Sequence, residues 1–454
     1  MSKLFGSSGV RGLANVNVTP TLAAKIGLAV VARVKAKKVL VARDTRVSGS
    51  MLENALVSGL LAGGASVESL GVIPTPVLAY LTKRLNASAG MMITASHNPP
   101  QYNGLKIFGE NSLSYDEEAQ ADIEKTIDDE RFRFSDWQDI GKASFADRGY
   151  LYAEIIQEKV KLRKDWRIVV DPGCGATYNL APTIFKSLRC KVTAVNAQAD
   201  GFFPARSPEP NPNSLKPLAN IVREMGADLG IAYDGDGDRV AFIDERGCFA
   251  DFDRVLAAYS GHVTRKAGGG VVVTTVEASM CVEKVVEAQG GKVLRTRVGD
   301  VYVSKAIKDE DAVFGGEPCG AWIHPQFHYC PDGILTSVLL LKALEEEDKA
   351  LSKLVSESPQ YPTLRENIAC RNDMKHRIVE AVGEKLEALF PKYEDFSNID
   401  GVRLALDDGW VLVRASGTEP LIRLTVEGES LKAAKQIMEK SMRMIQKLVG
   451  GKHE

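Results

Sequence analysis

Neither sign of charge is in surplus in this chain: 57 lysines and arginines face 59 aspartates and glutamates over 454 residues, a formal net charge of −2. A general nucleic-acid or anionic-membrane binder needs a basic excess, so the balance argues against both, though not against a local basic pocket. No apolar run approaches the roughly 18 to 20 residues a membrane helix requires. The opening residues Met1-Ser2-Lys3-Leu4-Phe5-Gly6 hold no apolar signal core before polar residues and glycines begin. The seven cysteines are scattered, odd in number and without a Cys-x-x-Cys pair, which argues against a disulfide scaffold and for a reducing cytoplasm. There is also no Gly-x-x-x-x-Gly-Lys-Ser/Thr run, which argues against a nucleotide P-loop.

What is present is the balance of a soluble globular protein, 44% hydrophobic and 26% charged. The length predicts roughly three or four domains. One pattern recurs over most of the chain: a short apolar run, a polar loop rich in Gly, Pro or Asp, then a helical stretch. Lys38 to Ala42 runs into Arg43-Asp44-Thr45-Arg46, and Met91 to Thr94 into Ala95-Ser96-His97-Asn98-Pro99-Pro100. Arg167 to Val170 runs into Asp171-Pro172-Gly173, Leu229 to Tyr233 into Asp234, and Val271 to Thr274 follows. Continuous β-branched runs read as strands buried on both faces, and their alternation with helices predicts layered α/β domains. Ligand sites in such domains gather where strands end in loops. The stretch after residue 365 differs. Val402 to Leu406, Val411 to Arg414 and Leu421 to Val426 read as close-spaced strands. A lysine-rich amphipathic helix follows, with Leu431, Ala434, Ile437, Met438 and Ile445 on its apolar side. The methionines there read as core filler. The fold class expected is therefore three layered α/β domains plus a C-terminal α+β domain, with units 1–148, 149–250, 251–365 and 366–454.

Four loops carry unusual chemistry. Ser96 follows a buried strand; a serine there is a turn or cap residue unless something activates its weakly nucleophilic hydroxyl. Asp234-Gly235-Asp236-Gly237-Asp238-Arg239 places three carboxylates at alternate positions, which can converge only around a cation. Hard oxygen ligands select Mg²⁺ or Ca²⁺. Glu245 at the twelfth position gives a partial EF-hand match, but Arg239 holds the sixth position, where glycine is required, and the flanks read as strands. A solvated acidic turn is the plainer reading, and a magnesium site the one preferred. Arg414-Ala415-Ser416-Gly417-Thr418-Glu419-Pro420, with Arg423 beyond it, is either a polar hairpin turn or a phosphate clamp of arginine, hydroxyls and exposed amides. Gly315-Gly316-Glu317-Pro318-Cys319-Gly320 closes another strand, and Glu317 could accept from sugar hydroxyls. Nearby His324, His328 and Cys330 could be imagined with Cys319 around zinc, but Pro325 removes the helical spacing that would align the histidines.

These four loops in this order resemble the α-D-phosphohexomutase superfamily, which includes phosphoglucomutase, phosphomannomutase and phosphoglucosamine mutase. The resemblance spans essentially the whole chain and extends to Phe5-Gly6-Ser7-Ser8-Gly9-Val10-Arg11-Gly12 and Asn103-Gly104-Leu105-Lys106. It implies four domains around a central cleft, each supplying one loop. Ser96 would carry the transferable phosphoryl group, and Asp234, Asp236 and Asp238 would bind Mg²⁺ together with it. Arg11 and Lys106 match residues near the reacting oxygens, Lys106 being the candidate general acid/base; Arg239 lies beside the aspartates, and it and His97 are further catalytic candidates. Glu317, Cys319 and Gly299 fall in the sugar-reading region. Arg414, Ser416, Gly417, Thr418 and Arg423 match the clamp for the phosphate that is not reacting. A sugar 1,6-bisphosphate is implied as activator, and a phosphohexose or phosphohexosamine as substrate, in a monomer or homodimer.

The chain departs from the pattern at two places: many relatives have Ser where Cys319 stands and His where Ala321 stands. His324 or His328 is a candidate to replace that histidine. Val298-Gly299-Asp300-Val301-Tyr302-Val303 and the loop from Glu317 to His324 look most like archaeal phosphoglucosamine mutases. The implied reaction is interconversion of glucosamine 6-phosphate and glucosamine 1-phosphate, with phosphomannomutase/phosphoglucomutase activity as the alternative. Two other classes are a metal-dependent phosphatase using the same serine and a calcium-stabilised sugar-binding protein. The phosphatase has no need of a second phosphate clamp, and the binding protein has no need of Ser96.

Overall fold

The β-branched runs form strands because both their faces are covered; Ala89–Ile93 and Leu229–Tyr233 are buried along their whole length. The computed structural model describes residues 4–6, 8–34, 37–416 and 420–450. Within them one four-strand unit occurs three times. The first contains Lys38–Arg43, Ser66–Val72, Ala89–Ile93 and Tyr102–Gly109. The second contains Arg167–Asp171, Lys191–Ala194, Leu229–Tyr233 and Val240–Ile243, and the third Gly270–Thr275, Gly291–Thr296, Phe314–Gly316 and Trp322–Ile323. In each, the first strand lies between the second and third, parallel to both, and the third pairs antiparallel with the fourth. Helices make the parallel crossovers, as chain connectivity requires. The first sheet grows to seven strands by adding Phe5–Gly6 and Gly9–Leu13 at one edge and Ala143–Phe145 at the other.

This topology decides where the chemistry sits. In all three units the loop from the third to the fourth strand carries the marked residues: Ser96 in the first, the three aspartates in the second, Glu317 in the third. That loop leaves the C-terminal ends of parallel strands, where ligands gather in open α/β sheets.

The C-terminal part is a five-stranded antiparallel sheet in the order Thr363–Ala369, Leu421–Gly428, Gly409–Ala415, Val402–Leu406, Tyr393–Ser397. Helices Lys375–Leu389 and Leu431–Gly450 cover it. Ala434, Ile437, Met438 and Ile445 are buried as the helical period predicts, and Met442 and Met444 pack against the same core. Leu431 departs from expectation: at the first turn it is 49% exposed.

One continuous apolar cluster links the three α/β units, running from Leu78 and Met92 through Tyr152 and Ile168 to Trp322 and Leu335. The fourth unit has a separate core and meets the third through a small cluster of Val276, Trp410 and Leu412. The first three units are thus packed as one body, and the fourth is docked on it.

Candidate active site

Ser96 leaves the strand Ala89–Ile93 with φ +49°, a left-handed conformation that a non-glycine residue holds at a cost of about 1–3 kcal/mol. Its amide donates to Thr94 Oγ1 at 2.9 Å, and its Oγ donates to Asp234 Oδ2 at 2.6 Å across 138 residues of sequence. His97 Nδ1 lies 3.4 Å from that hydroxyl. Burial, reinforced by Arg239 and Arg11, pushes the His97 imidazole down to about 2, so it is neutral. Arg11, on the strand Gly9–Leu13, donates from Nη1 to Asn98 Oδ1 at 3.1 Å, and its buried Nε has no partner.

The three aspartates are buried, and one oxygen from each lies within 4.8 Å of the others. Asp234 Oδ1 accepts the amides of Gly237 (3.0 Å) and Arg239 (3.1 Å). Asp236 Oδ2 accepts Thr75 Oγ1 at 2.5 Å and Lys106 Nζ at 2.9 Å, and Asp238 Oδ2 accepts the same ammonium at 2.5 Å. The other oxygens, Asp236 Oδ1 and Asp238 Oδ1, are buried and have no hydrogen-bond partner. Orphaned buried carboxylate oxygens are rare in folded proteins, and here they belong to a hard-oxygen set of the kind Mg²⁺ takes, so the residues fit that ion. Without it, burial followed by Asp238 and Asp236 holds the Asp234 carboxyl well above the usual range. Burial would also raise Asp236, but Lys106 and Thr75 more than offset it. The same carboxylates hold Lys106 above its ordinary value against the opposing effect of burial. The flanking segments are paired antiparallel strands, which removes the EF-hand reading. Among the described residues no second cluster of His, Cys, Asp and Glu converges in this way, so zinc near Cys319 has no geometry to support it.

The third unit's loop borders this centre. Glu317 Oε2 accepts the amide of Gly299 at 3.1 Å, and burial with neighbouring Asp300 pushes the carboxyl up to about 7. Asp300 opens the helix Asp300–Asp309, and its Oδ1 accepts Ser8 Oγ of the first unit at 3.3 Å. Arg239 lies within the electrostatic reach of Cys319, Asp238, Asp234 and Glu317, between the metal loop and the sugar loop. Cys319 is a thiol, raised to about 12 chiefly by burial. His324 and His328, the candidates for the histidine absent at Ala321, are both held inside the third unit. His324 Nε2 bonds Thr336 Oγ1 at 2.9 Å within an aromatic cluster, and burial pushes it down to about 3. His328 bonds Asp332 Oδ2 at 2.9 Å through Nε2 and accepts the Cys330 amide through Nδ1. Both imidazoles are buried, and His324 Nδ1 has no hydrogen-bond partner.

In the fourth unit, Arg414 and Arg423 sit directly opposite each other on neighbouring strands, a placement that repels unless anions are near. Arg414 finds two: Asp400 Oδ2 at 2.8 Å, and Glu277 of the third unit. Ser416 is buried, and its carbonyl takes Lys375 Nζ. Gly417 and Thr418 lie outside the described residues. The structure therefore brings together Ser96, His97, Arg11, Lys106, Arg239 and the three aspartates, with Glu317, Gly299 and Cys319 at their border. Thr75 and Asp300 escaped the sequence reading. Thr75 binds a residue 161 positions away, which no local pattern announces, and Asp300 lay unmarked inside a stretch quoted only for its likeness.

Family comparison covers almost all of this chain. Residues 2–134, 150–247 and 251–361 match phosphoglucomutase/phosphomannomutase α/β/α domains I, II and III, and 366–444 match the C-terminal domain. The chain belongs to the phosphoglucomutase/phosphomannomutase family and is an enzyme of the isomerase class, an intramolecular phosphotransferase. It is 43% identical over 450 residues to a "Probable phosphoglucosamine mutase" of Methanothermobacter thermautotrophicus, covering 99% of both chains. A protein of the same name from Pyrococcus abyssi is 41% identical over 445 residues, covering 98% of each. A solved phosphoglucomutase/phosphomannomutase family protein from Burkholderia thailandensis superposes with a TM-score of 0.89 at 27% identity, covering 100% of this chain and 99% of that one.

Proposed function

We propose that this enzyme interconverts glucosamine 6-phosphate and glucosamine 1-phosphate, passing a phosphoryl group through Ser96 by way of a sugar bisphosphate. The observation that carries the reading is the 2.6 Å contact of Ser96 Oγ with Asp234, inside a ring of buried aspartates and cations. A phosphoserine there would bring about −1.5 to −2 charges, which Arg11, Lys106 and Arg239 are placed to offset in a loose, charge-rich transition state. Asp234, Asp236 and Asp238 would hold Mg²⁺, which would neutralise their charge and so free Lys106 Nζ for proton transfer at the sugar oxygen. Arg414, Ser416 and Arg423, with Gly417 and Thr418, would grip the idle phosphate without regard to which carbon bears it. A sugar 1,6-bisphosphate would prime the serine.

The choice of an amino sugar rests on the names of the relatives and on a second carboxylate beside Glu317. Asp300 adds negative charge where a neutral sugar needs only hydrogen bonds; an ammonium group on the substrate would offset the pair. The test is a panel of glucosamine, glucose and mannose phosphates with Mg²⁺ and the matching bisphosphate, compared by kcat/KM. A large preference for the amino sugar supports the reading. Equal or better rates on glucose and mannose phosphates move the enzyme to the phosphomannomutase/phosphoglucomutase alternative, and free phosphate in place of isomer makes it a phosphatase. In the same panel Asp300→Asn is expected to lower the glucosamine-to-glucose ratio about tenfold, the worth of one charge-assisted hydrogen bond. An unchanged ratio would remove Asp300 from substrate choice.

The raised Glu317 carboxyl has a consequence for pH. Protonation costs it acceptor capacity toward sugar hydroxyls, so kcat/KM at limiting substrate is expected to rise as pH climbs through about 7 and then level. Glu317→Gln is expected to abolish that rise; a variant that keeps it would assign the titration to another group.

A further inference from the structure

We propose that Arg46 is the positioning residue that holds the Ser96 loop in its reactive shape. The strands Lys38–Arg43 and Ala89–Ile93 run in parallel register, so the loops leaving them emerge side by side. Arg46 is 1% exposed, and all five of its guanidinium N–H groups are donated. Nε goes to Asp44 Oδ2 at 3.0 Å. Nη1 goes to the carbonyls of Pro99 (2.6 Å) and Tyr102 (2.9 Å), and Nη2 to those of Ser96 (2.9 Å) and Asn98 (2.6 Å).

Four of those bonds therefore end on the backbone of the serine loop, one of them on Ser96 itself. Asp44 controls the other side of the same residue: it accepts Thr94 Oγ1 at 2.7 Å, and that hydroxyl accepts the Ser96 amide. The carbonyl and the amide of Ser96 are thus both held, which keeps a left-handed serine in place. The Ser96 carbonyl is also closed from the metal loop, where a Cβ on Gly235 would lie 2.5 Å from its oxygen. The Phe203 ring of the second unit covers the Arg46 guanidinium, 5.3 Å from the ring centroid. Lysine could not do this work, because three donors on a flexible stem cannot fix four carbonyls in one plane.

The recurrence is the second observation. Asp171 ends the strand Arg167–Asp171, which lies beside Leu229–Tyr233 as Lys38–Arg43 lies beside Ala89–Ile93. Arg206 Nε donates to Asp171 Oδ2 at 2.9 Å, and its Nη2 donates to the carbonyl of Tyr233 at 2.7 Å, the residue just before Asp234. The first unit thus holds its serine loop at four carbonyls, and the second ties an arginine to the last strand residue before its metal loop. Arg46 touches no reacting atom and acts through the loop it holds.

The role of Arg46 rests on the reading of Ser96 as phosphoryl carrier. The test compares parent, Arg46→Lys and Arg46→Ala in the full chain. It measures steady-state turnover of glucosamine 6-phosphate, single-turnover phosphorylation of Ser96 by a sugar 1,6-bisphosphate read by intact mass, and thermal melting. Arg46→Lys is expected to lower kcat and the phosphorylation rate about a hundredfold, the loss typical of a nucleophile displaced by roughly 1 Å, with KM nearly unchanged. Added guanidinium is expected to restore part of the kcat of Arg46→Ala, while methylammonium does not. Parent-like kcat in Arg46→Lys overturns the inference. So does an equal loss in kcat and rise in KM without guanidinium rescue, which would make Arg46 only a staple of the fold. A parent protein that never becomes phosphorylated on Ser96 sinks the mutase reading itself, and the role with it.

Discussion

Ser96→Ala is expected to lower turnover at least about ten-thousandfold while the protein remains folded, because the loop's other hydroxyl, Thr94 Oγ1, is buried and donated to Asp44. The change removes one oxygen from a residue 1% exposed, so no sizeable cavity opens. What it does remove is the proton that Ser96 Oγ donates to Asp234 Oδ2, leaving a buried carboxylate oxygen short of a donor at a cost of about 1–3 kcal/mol. Glycine at the same position separates chemistry from stability. With φ +49°, residue 96 sits where glycine is at ease, so Ser96→Gly should melt no lower than Ser96→Ala although both are inactive. The measurements are isomerisation rate and thermal melting. Substantial turnover in either variant would end the phosphoserine mechanism.

The second large effect concerns the metal loop. Asp234→Asn is expected to reduce turnover about a hundred- to a thousandfold, yet to raise the melting temperature of the ion-free protein. The side chain suits an amide: Oδ1 accepts two backbone N–H groups, and the other position faces a serine hydroxyl that can accept as well as donate. The substitution removes a buried carboxyl whose ionised form burial, Asp238 and Asp236 all oppose, without breaking a hydrogen bond. In the parent, Mg²⁺ at a hundred times its dissociation constant should stabilise by about 2.7 kcal/mol, and that shift should shrink or vanish in the variant. A variant that gains as much from Mg²⁺ as the parent would place the ion elsewhere. This is the stability–activity trade expected where a fold keeps repelling groups for use.

How far all this can be read from a sequence depends on the range of the interactions. Leu229 to Tyr233 was legible because a strand buried on both faces writes an unbroken apolar run, and the aspartates because they alternate within one turn. Tyr393–Ser397 was not, since it is an edge strand whose first three residues are exposed, and Thr363–Ala369 carries exposed polar residues at its centre. The candidate site residues were named by likeness, and their contacts were not legible. Ser96 meets Asp234, and Lys106 meets Asp236, only because two separate sheets deliver equivalent loops to one place. Asp44 and Arg46 read as an ordinary polar loop, since their partners lie some fifty residues away on the next strand over. His324 and His328 show the opposite relation between sequence and packing. Residues able to do chemistry stood near the sugar loop in sequence, and packing turned them inward.

Arg414 shows what docking of the fourth unit costs a ligand. Its guanidinium is already engaged, by Asp400 within the unit and by Glu277 across the junction to the third. On the proposed clamp, a phosphate taking Arg414 would perform an exchange, one anion for another, and its affinity would be the difference between two ion-pair energies. Dissolved salt screens both sides of that exchange, so binding should depend less on ionic strength than for an arginine waiting free in water. With Arg414 in the proposed phosphate clamp, the same exchange would loosen the Glu277 link as substrate arrives, so the equilibrium for ligand capture and the equilibrium for moving the fourth unit would share one term.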